Sequence, residues 1–349
     1  MKCNAQSLKD FGAEVLKKVG LNDKNSKVFI DSLVLSEMRG VSSHGITRLK
    51  AYSDRIKSGE VAADTEPVVI TESDSVIVID GKNGPGMTVG IAAVEKCVEK
   101  AKKTGVCFAA VNNSSHYGFG GYYAMYAADR NMIGFSMCNC DAAVVPFGGC
   151  KPMLGTNPLS VAIPAGKHPA LVLDMATSVV AKGKVNLAEK LGKSIPDNWI
   201  VDKNGNPTTN PADVLEGALL PFGGPKGYAI GLIIDILCST LSGAKNSRQI
   251  GSFFSSKDPE SFQNVGFFMG VIDISKFVDL DLFKERIDAM FDEFKACPPA
   301  PGFSEVMIPG EIEQNSFNKN LKEDIELSEP IVKELMGLAE QYGLEHPFK

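Results

Sequence analysis

Ser75-Val-Ile-Val-Ile-Asp80, followed by Gly81-Lys-Asn-Gly-Pro-Gly86 and Met87-Thr-Val-Gly90, is the stretch whose reading decides the fold. The first six residues are rich in β-branched side chains and read as a strand. Val89 to Thr104 has apolar residues at helical spacing, and Gly105 to Val111 is a strand again. Strand, glycine turn, helix and strand make a βαβ unit, the framework in which such a turn brings backbone amides against a pyrophosphate. Two features argue against that use here. Gly84, Gly86 and Gly90 are spaced G-x-G-x-x-x-G, one residue longer than the dinucleotide fingerprint. The second strand runs into Asn112-Asn113, with no carboxylate to hold a ribose hydroxyl. We read an ordinary glycine-rich βα turn inside an α/β fold that lacks a Rossmann site.

Outward from this unit the periods change. Residues 1–60 read as helices over Ser7–Gly20, Asn25–Arg39 and Gly45–Ser58. Downstream come a helix at Gly120–Asn131, a strand at Gly134–Cys138 and a strand- and loop-rich region over 145–185. An apolar helix (Gly227–Leu241), a strand (Val265–Ile274) and helices at Leu282–Ala296 and Ser328–Tyr342 follow. Alternating strands and helices argue an α/β core.

A chain of 349 residues, 44% hydrophobic, supports two packed domains without metal or disulfide staples. The net charge of −6, without a Lys/Arg block, argues against nucleic acid as a partner. No apolar run reaches the roughly 20 residues of a membrane span. The longest, Ile230–Cys238, is interrupted by Asp235, and Met1–Asp10 has no signal-like core, so a cytoplasmic protein is expected. Eight cysteines without a C-x-x-C pair, and only four histidines, give no zinc spacing.

Polar residues in glycine-rich loops are the candidates for chemistry. In Arg39-Gly-Val-Ser-Ser-His-Gly-Ile-Thr-Arg48, His44 and Arg48 are four apart and share a face if His44 opens a helix. Arg suits a substrate carboxylate and His a proton transfer, although a helix-capping segment would look the same. His116, in Asn112-Asn-Ser-Ser-His-Tyr-Gly118, follows the carboxyl end of a strand, the ligand edge of open α/β sheets. Asp141 follows the next strand. If those strands are neighbours it can hold one imidazole nitrogen of His116 and fix the tautomer; otherwise it caps a turn. Gly155-Thr-Asn-Pro158, Asp174-Met-Ala-Thr-Ser178 and Gly223-Gly-Pro-Lys-Gly227 are loops that together suit a pyrophosphate, the last with free amides at a helix start and Lys226. A nicotinamide-independent His–Asp lyase or hydrolase, or a non-catalytic binding module, would use the same cleft. The sequence has no nucleophile motif or metal triad to complete the former.

Seven ordered blocks now stand together: 39–48, 113–118, 155–160, 174–178, 224–228, 301–303 and 309–311. In combination they resemble the malate/L-lactate dehydrogenase family along essentially the whole chain. Within it, 136–141, 144–149 and 194–199 resemble ureidoglycolate-oxidising members, while the segment after His116 resembles malate- and sulfolactate-type members. The resemblance implies a non-Rossmann, mixed-sheet nicotinamide-binding domain (residues 71–311), a helical second domain (1–70 joined by 312–349) and a homodimer. It implies hydride transfer between NAD, with NADP left open, and a small 2-hydroxy acid: ureidoglycolate first, then malate, L-lactate or sulfolactate. It makes His116 or His44 the acid/base, with Asp141 favouring His116, and it puts Ser43, Arg48 and Tyr52 on the substrate. Cys140, Thr156, Pro158, Asp174, Met175, Ala176, Ser178, Gly224, Lys226, Gly227, Pro309, Gly310 and Glu311 then become cofactor contacts.

Overall fold

The computed structural model describes residues 1–253 and 262–348. The chain begins with β1 (Lys2–Cys3), α1 (Ala5–Lys18), α2 (Asp23–Met38) and α3 (Leu49–Lys57). It continues through β2 (Val68–Glu72), β3 (Val76–Gly84), α4 (Gly86–Thr104), β4 (Val106–Ser114), α5 (Gly121–Ala128) and β5 (Met132–Cys138). Next come β6 (Leu159–Ile163), β7 (Leu171–Met175), α6 (Lys182–Lys190) and three short strands, β8 (Ile200–Val201), β9 (Pro207–Thr208) and β10 (Ala218–Leu219). The last elements are α7 (Pro225–Cys238), β11 (Val265–Asp273), α8 (Leu280–Lys295), α9 (Glu311–Glu323), β12 (Ile325–Glu326) and α10 (Glu329–Tyr342).

The main sheet has seven strands in the order β2-β3-β4-β11-β5-β6-β7. Only β3 and β4, joined by α4, run parallel; every other neighbouring pair is antiparallel. This is a mixed α/β sheet, not a doubly wound one. α4 and α5 cover one face over a core that includes Ile77, Val89, Val111, Tyr123, Phe267 and Met269. A second core, with Leu8, Val15, Phe29, Leu33, Leu49 and Leu335, joins α1, α2, α3 and α10, so both ends of the chain build one helical layer. The pairing of β1 with β12 ties those ends together.

The glycine turn at 81–86 has a use that its spacing did not suggest. A Cβ on Gly86 would stand 2.4 Å from the His116 carbonyl and 2.5 Å from that of Ser115. One on Gly90 would lie 2.5 Å from the Tyr123 ring. These glycines let the 115–117 backbone press on the start of α4, and the Gly86 amide donates to Ser115 Oγ at 3.1 Å. The βα turn seats the histidine strand-end rather than a phosphate.

The third helix starts later than its period predicts. Two 3₁₀ turns, Ser42–His44 and Ile46–Arg48, precede α3. The reason is Glu37, whose buried carboxylate accepts from Ser42 Oγ at 2.6 Å and from the Ile46 amide at 3.0 Å. Side-chain bonds of this kind satisfy amides that a regular helix would bond internally. α9 was not read from the sequence because it buries no residue and so carries no apolar stripe.

Candidate active site

The loop that Glu37 clamps presents His44, and the end of β4 presents His116. Their rings stack with centroids 5.8 Å apart and planes within 14°. Residues from two distant stretches thus meet at one place, and Arg48 joins them: its Nε donates to the Ser43 carbonyl at 2.8 Å. Its charge is also among those that hold both histidines below their ordinary pKa. His44 Nδ1 and Ser43 Oγ are 2.9 Å apart. Burial, then Arg48, lowers His44 to about 4. His116 is pushed well down by burial first, then by His44, Arg48 and Arg55. Both rings are therefore neutral at pH 7.

Tyr52, on α3, lies 2.6 Å from His116 Nδ1 through its hydroxyl. The Gly118 amide, which can only donate, points at the same nitrogen at 3.2 Å. Nδ1 is therefore an acceptor, which puts the proton of the neutral ring on Nε2. A hydroxyl can turn from donor to acceptor, so Tyr52 can also face an Nδ1–H, the 3.2 Å Gly118 contact then being given up. Burial keeps Tyr52 protonated by raising its pKa. Phe253 packs beside the imidazole, its ring centroid 5.0 Å from that of His116.

The Asp141–His116 pair expected from the sequence requires a correction. β11 lies between β4 and β5, so the strands that end at the two residues are not neighbours. The charge acting on Asp141 is Lys182, and burial raises its pKa. Tyr52 and the Gly118 amide hold His116 Nδ1 instead.

The loops read as cofactor contacts are laced into one wall. Thr177 N–H donates to the Thr156 carbonyl at 2.8 Å, and Phe222 N–H to the Thr177 carbonyl at 3.0 Å. Ser178 bridges to Pro221, and Cys140 Sγ is 3.3 Å from Thr156 Oγ1. Met175, Ala176 and Pro158 lie within these segments; the Pro309 carbonyl accepts from the Val172 amide at 3.0 Å, which docks the 309–311 turn on β7. Asp174 accepts from Ser160 Oγ. Burial pushes its pKa up to about 6 against the lowering effect of Ser160, the Gly121 amide and Arg39. His44, His116 and Cys140 are each partly open to solvent and Asp174 is exposed.

One expectation for this wall changes. At the start of α7 the amides of Lys226, Gly227 and Tyr228 are already bonded to Gly223, Phe222 and Gly224 carbonyls. The turn offers an anion the Lys226 ammonium and the positive helix end, not an open amide fork. Gly224, at φ 61°, is there for its backbone conformation.

A family model described as malate/L-lactate dehydrogenase matches residues 3–336. The chain belongs to the malate/L-lactate dehydrogenase family. It is 40% identical to a malate dehydrogenase of Pyrococcus horikoshii over 343 residues, covering 96% of this chain and 94% of that one. To the NAD(+)-dependent ureidoglycolate dehydrogenase of Escherichia coli it is 34% identical over 351 residues, covering 100% and 99%. The solved sulfolactate dehydrogenase of Methanocaldococcus jannaschii superposes with a TM-score of 0.92 at 36% identity, over 99% of this chain and 98% of that one. The protein is thus an NAD(P)-dependent oxidoreductase of 2-hydroxy acids, NAD(+) and NADP(+) both occurring among its relatives. Among the described residues no helix is long and apolar enough to cross a membrane.

Several supports of this family site were missed in the sequence. Glu37 and Phe253 are two. Arg39 is another: buried at the end of α2, it donates to Gln314 Oε1 at 3.0 Å and the Gly310 carbonyl at 3.4 Å, linking the helical layer to the 309–311 turn. Asp235, noticed only as a break in an apolar run, accepts from Asn139 Nδ2 and Ser247 Oγ, each at 3.0 Å. Asn157 accepts from the Cys140 amide at 3.2 Å, so this buried network fixes the Cys140 edge of the wall. The carboxylate inside an otherwise apolar helix was the one available signal.

Proposed function

We propose that this chain moves a hydride and a proton between nicotinamide and a small 2-hydroxy acid, with His116 exchanging the proton and Arg48 and Ser43 holding the carboxylate. The observation that carries the reading is the stacked His44–His116 pair beside Arg48. Bound nicotinamide supplies or takes the hydride. In oxidation the neutral His116 ring, its own proton moved to Nδ1 where Tyr52 turns to accept it, takes the alcohol proton at Nε2 and becomes the imidazolium; in reduction the imidazolium gives its Nε2 proton to the oxygen that was the carbonyl and returns to the neutral ring. His44 closes the opposite side of the substrate and Asp141 stays a cleft-lining carboxylate. One feature supports the cofactor reading: a Cβ on Gly120 would stand 2.4 Å from Ser160 Oγ and 3.2 Å from Asp174 Oδ1, so glycine leaves room beside that carboxylate. Asp174 would hold ribose hydroxyls, with Cys140, Thr156, Ser178, Gly227 and Glu311 framing the rest and Lys226 near phosphate.

Malate or sulfolactate is favoured as the substrate by the higher identity to relatives so named and by the segment after His116. Ureidoglycolate is the second reading, favoured by residues 136–141, 144–149 and 194–199 and by a relative so named that spans the whole chain. Purified protein should oxidise malate or sulfolactate at least about tenfold more efficiently than lactate, a difference of about 1.4 kcal/mol. A nicotinamide absorbance assay with malate, sulfolactate, ureidoglycolate and lactate, each with NAD and NADP, checks this. No turnover of any of them would remove the reading.

We also propose a homodimer. The face of the sheet opposite α4 and α5 leaves Phe108 36% exposed, and α7, which crosses one end of that face, leaves Ile233 56% and Ile236 48% exposed. Apolar surface left open on a helix and a sheet together is surface for a partner, and a second copy is the partner proposed. Light scattering should give twice the chain mass, and the double variant Ile233→Arg, Ile236→Arg should give the single mass. A monomeric wild type would overturn it. A cytoplasmic setting is in keeping with eight free thiols.

A further inference from the structure

The ion pair Arg55–Glu60 is not among the residues assigned above to substrate or cofactor. Its charged atoms are 3.0 Å apart, and the side chains are only 6% and 7% exposed. A pair buried this deeply adds little stability over apolar residues of the same volume, because desolvating two charges offsets their attraction. Its geometry is aimed at one place. Arg55 Nη1 donates to the Phe253 carbonyl at 2.9 Å, and the guanidinium stands 5.1 Å from the centre of the Phe253 ring. That ring lies 5.0 Å from the His116 ring and 5.2 Å from the Tyr52 ring. Tyr52 and Arg55 are three residues apart on α3, so one helix face carries both the hydroxyl at His116 Nδ1 and the group that holds Phe253. Glu60 is fixed in turn by Ser58 Oγ at 3.2 Å, and the Val61 amide returns to the Arg55 carbonyl at 3.2 Å.

We propose that Arg55 and Glu60 are the positioning element of His116: they clamp Phe253 against the imidazole so that the ring keeps the orientation Tyr52 gives it. This rests on reading His116 as the proton-exchanging group. Among the described residues, the groups whose charge or hydroxyl faces His116 are His44, Arg48, Arg55 and Tyr52. Arg55 is one of the positive charges that keep the ring neutral, so its removal moves the ring's titration upward.

The test is the double variant Arg55→Met, Glu60→Leu, which removes both charges, keeps the volume and leaves no unpaired buried ion. It should melt close to wild type and keep its cofactor KM within about twofold, while kcat falls about tenfold or more. The acidic limb of kcat/KM for oxidation should move to higher pH. A folded double variant with wild-type kcat and pH profile would overturn the proposal. Should that variant not fold, Glu60→Gln serves: it leaves Arg55 uncompensated, so the limb should move to lower pH and kcat should fall. An unchanged limb and kcat there would count equally against it. His116→Ala, measured alongside, separates the two claims. If it keeps kcat, the acid/base reading fails and takes this one with it. If it loses kcat while both other variants match wild type, only the positioning role fails.

Discussion

Replacing His116 by alanine is expected to lower kcat by about 10²- to 10⁴-fold, the range for removing a general acid/base. The fold should survive, because His116 is not fully buried and its backbone, not its ring, packs on Gly86. The pH dependence gives a second readout, and its sign follows from the site. Oxidation needs the neutral ring. Burial, then the charges of His44, Arg48 and Arg55, holds the His116 pKa well below its usual 6.5. The neutral form therefore persists as pH falls below 6.5, and oxidation should lose activity only at lower pH than an ordinary histidine would allow. Reduction, which consumes a proton, should gain from falling pH. In the alanine variant this limb should vanish. His44→Ala is the control: burial and Arg48 lower the His44 pKa to about 4, and among the described residues Ser43 Oγ is the group at its Nδ1. A larger loss there than at 116, with the limb retained in His116→Ala, would exchange the two roles.

The clusters that form the site were legible because they break the pattern around them. Arg39–Arg48 and Asn113–Gly118 put polar, ring-bearing residues into glycine-rich loops, where neither a core stripe nor a solvated face accounts for them. The individual strands were legible too, since a period of two is a local property. Their order was not. β11 pairs with both β4 and β5 although it comes far later in the chain, so the condition that the strands of His116 and Asp141 be neighbours is not met. The Asp141–His116 pair failed for that reason alone. Tyr52 shows another limit. The resemblance put it on the substrate, whereas its hydroxyl meets His116, a bond that depends on a helix and a strand-end meeting across the boundary of two cores. Glu37, Arg55, Glu60 and Asp235 are single charges within helices or turns, and nothing in the sequence distinguishes a buried one from a solvated one until its partner is known.

Arg48→Met is expected to raise the KM for the 2-hydroxy acid by about 10- to 100-fold, the loss of a charged hydrogen bond of about 1.5–3 kcal/mol. The cofactor KM should stay near wild type if the Arg48 guanidinium serves the substrate carboxylate alone. Arg48→Lys should fall between the two. Lysine keeps the charge, but it cannot hold the Ser43 carbonyl through an Nε while presenting a planar fork to a carboxylate. The substitution has a second consequence that a purely structural arginine would not produce. Arg48 lowers the pKa of both His44 and His116, so its removal should move the acidic limb of oxidation to higher pH. Binding loss and limb shift come from one guanidinium and should appear together in Arg48→Met, whereas Arg48→Lys should show the binding loss with little shift. An Arg48→Met enzyme with unchanged substrate KM would remove the carboxylate clamp and, with it, the reason for placing the substrate between the two histidines.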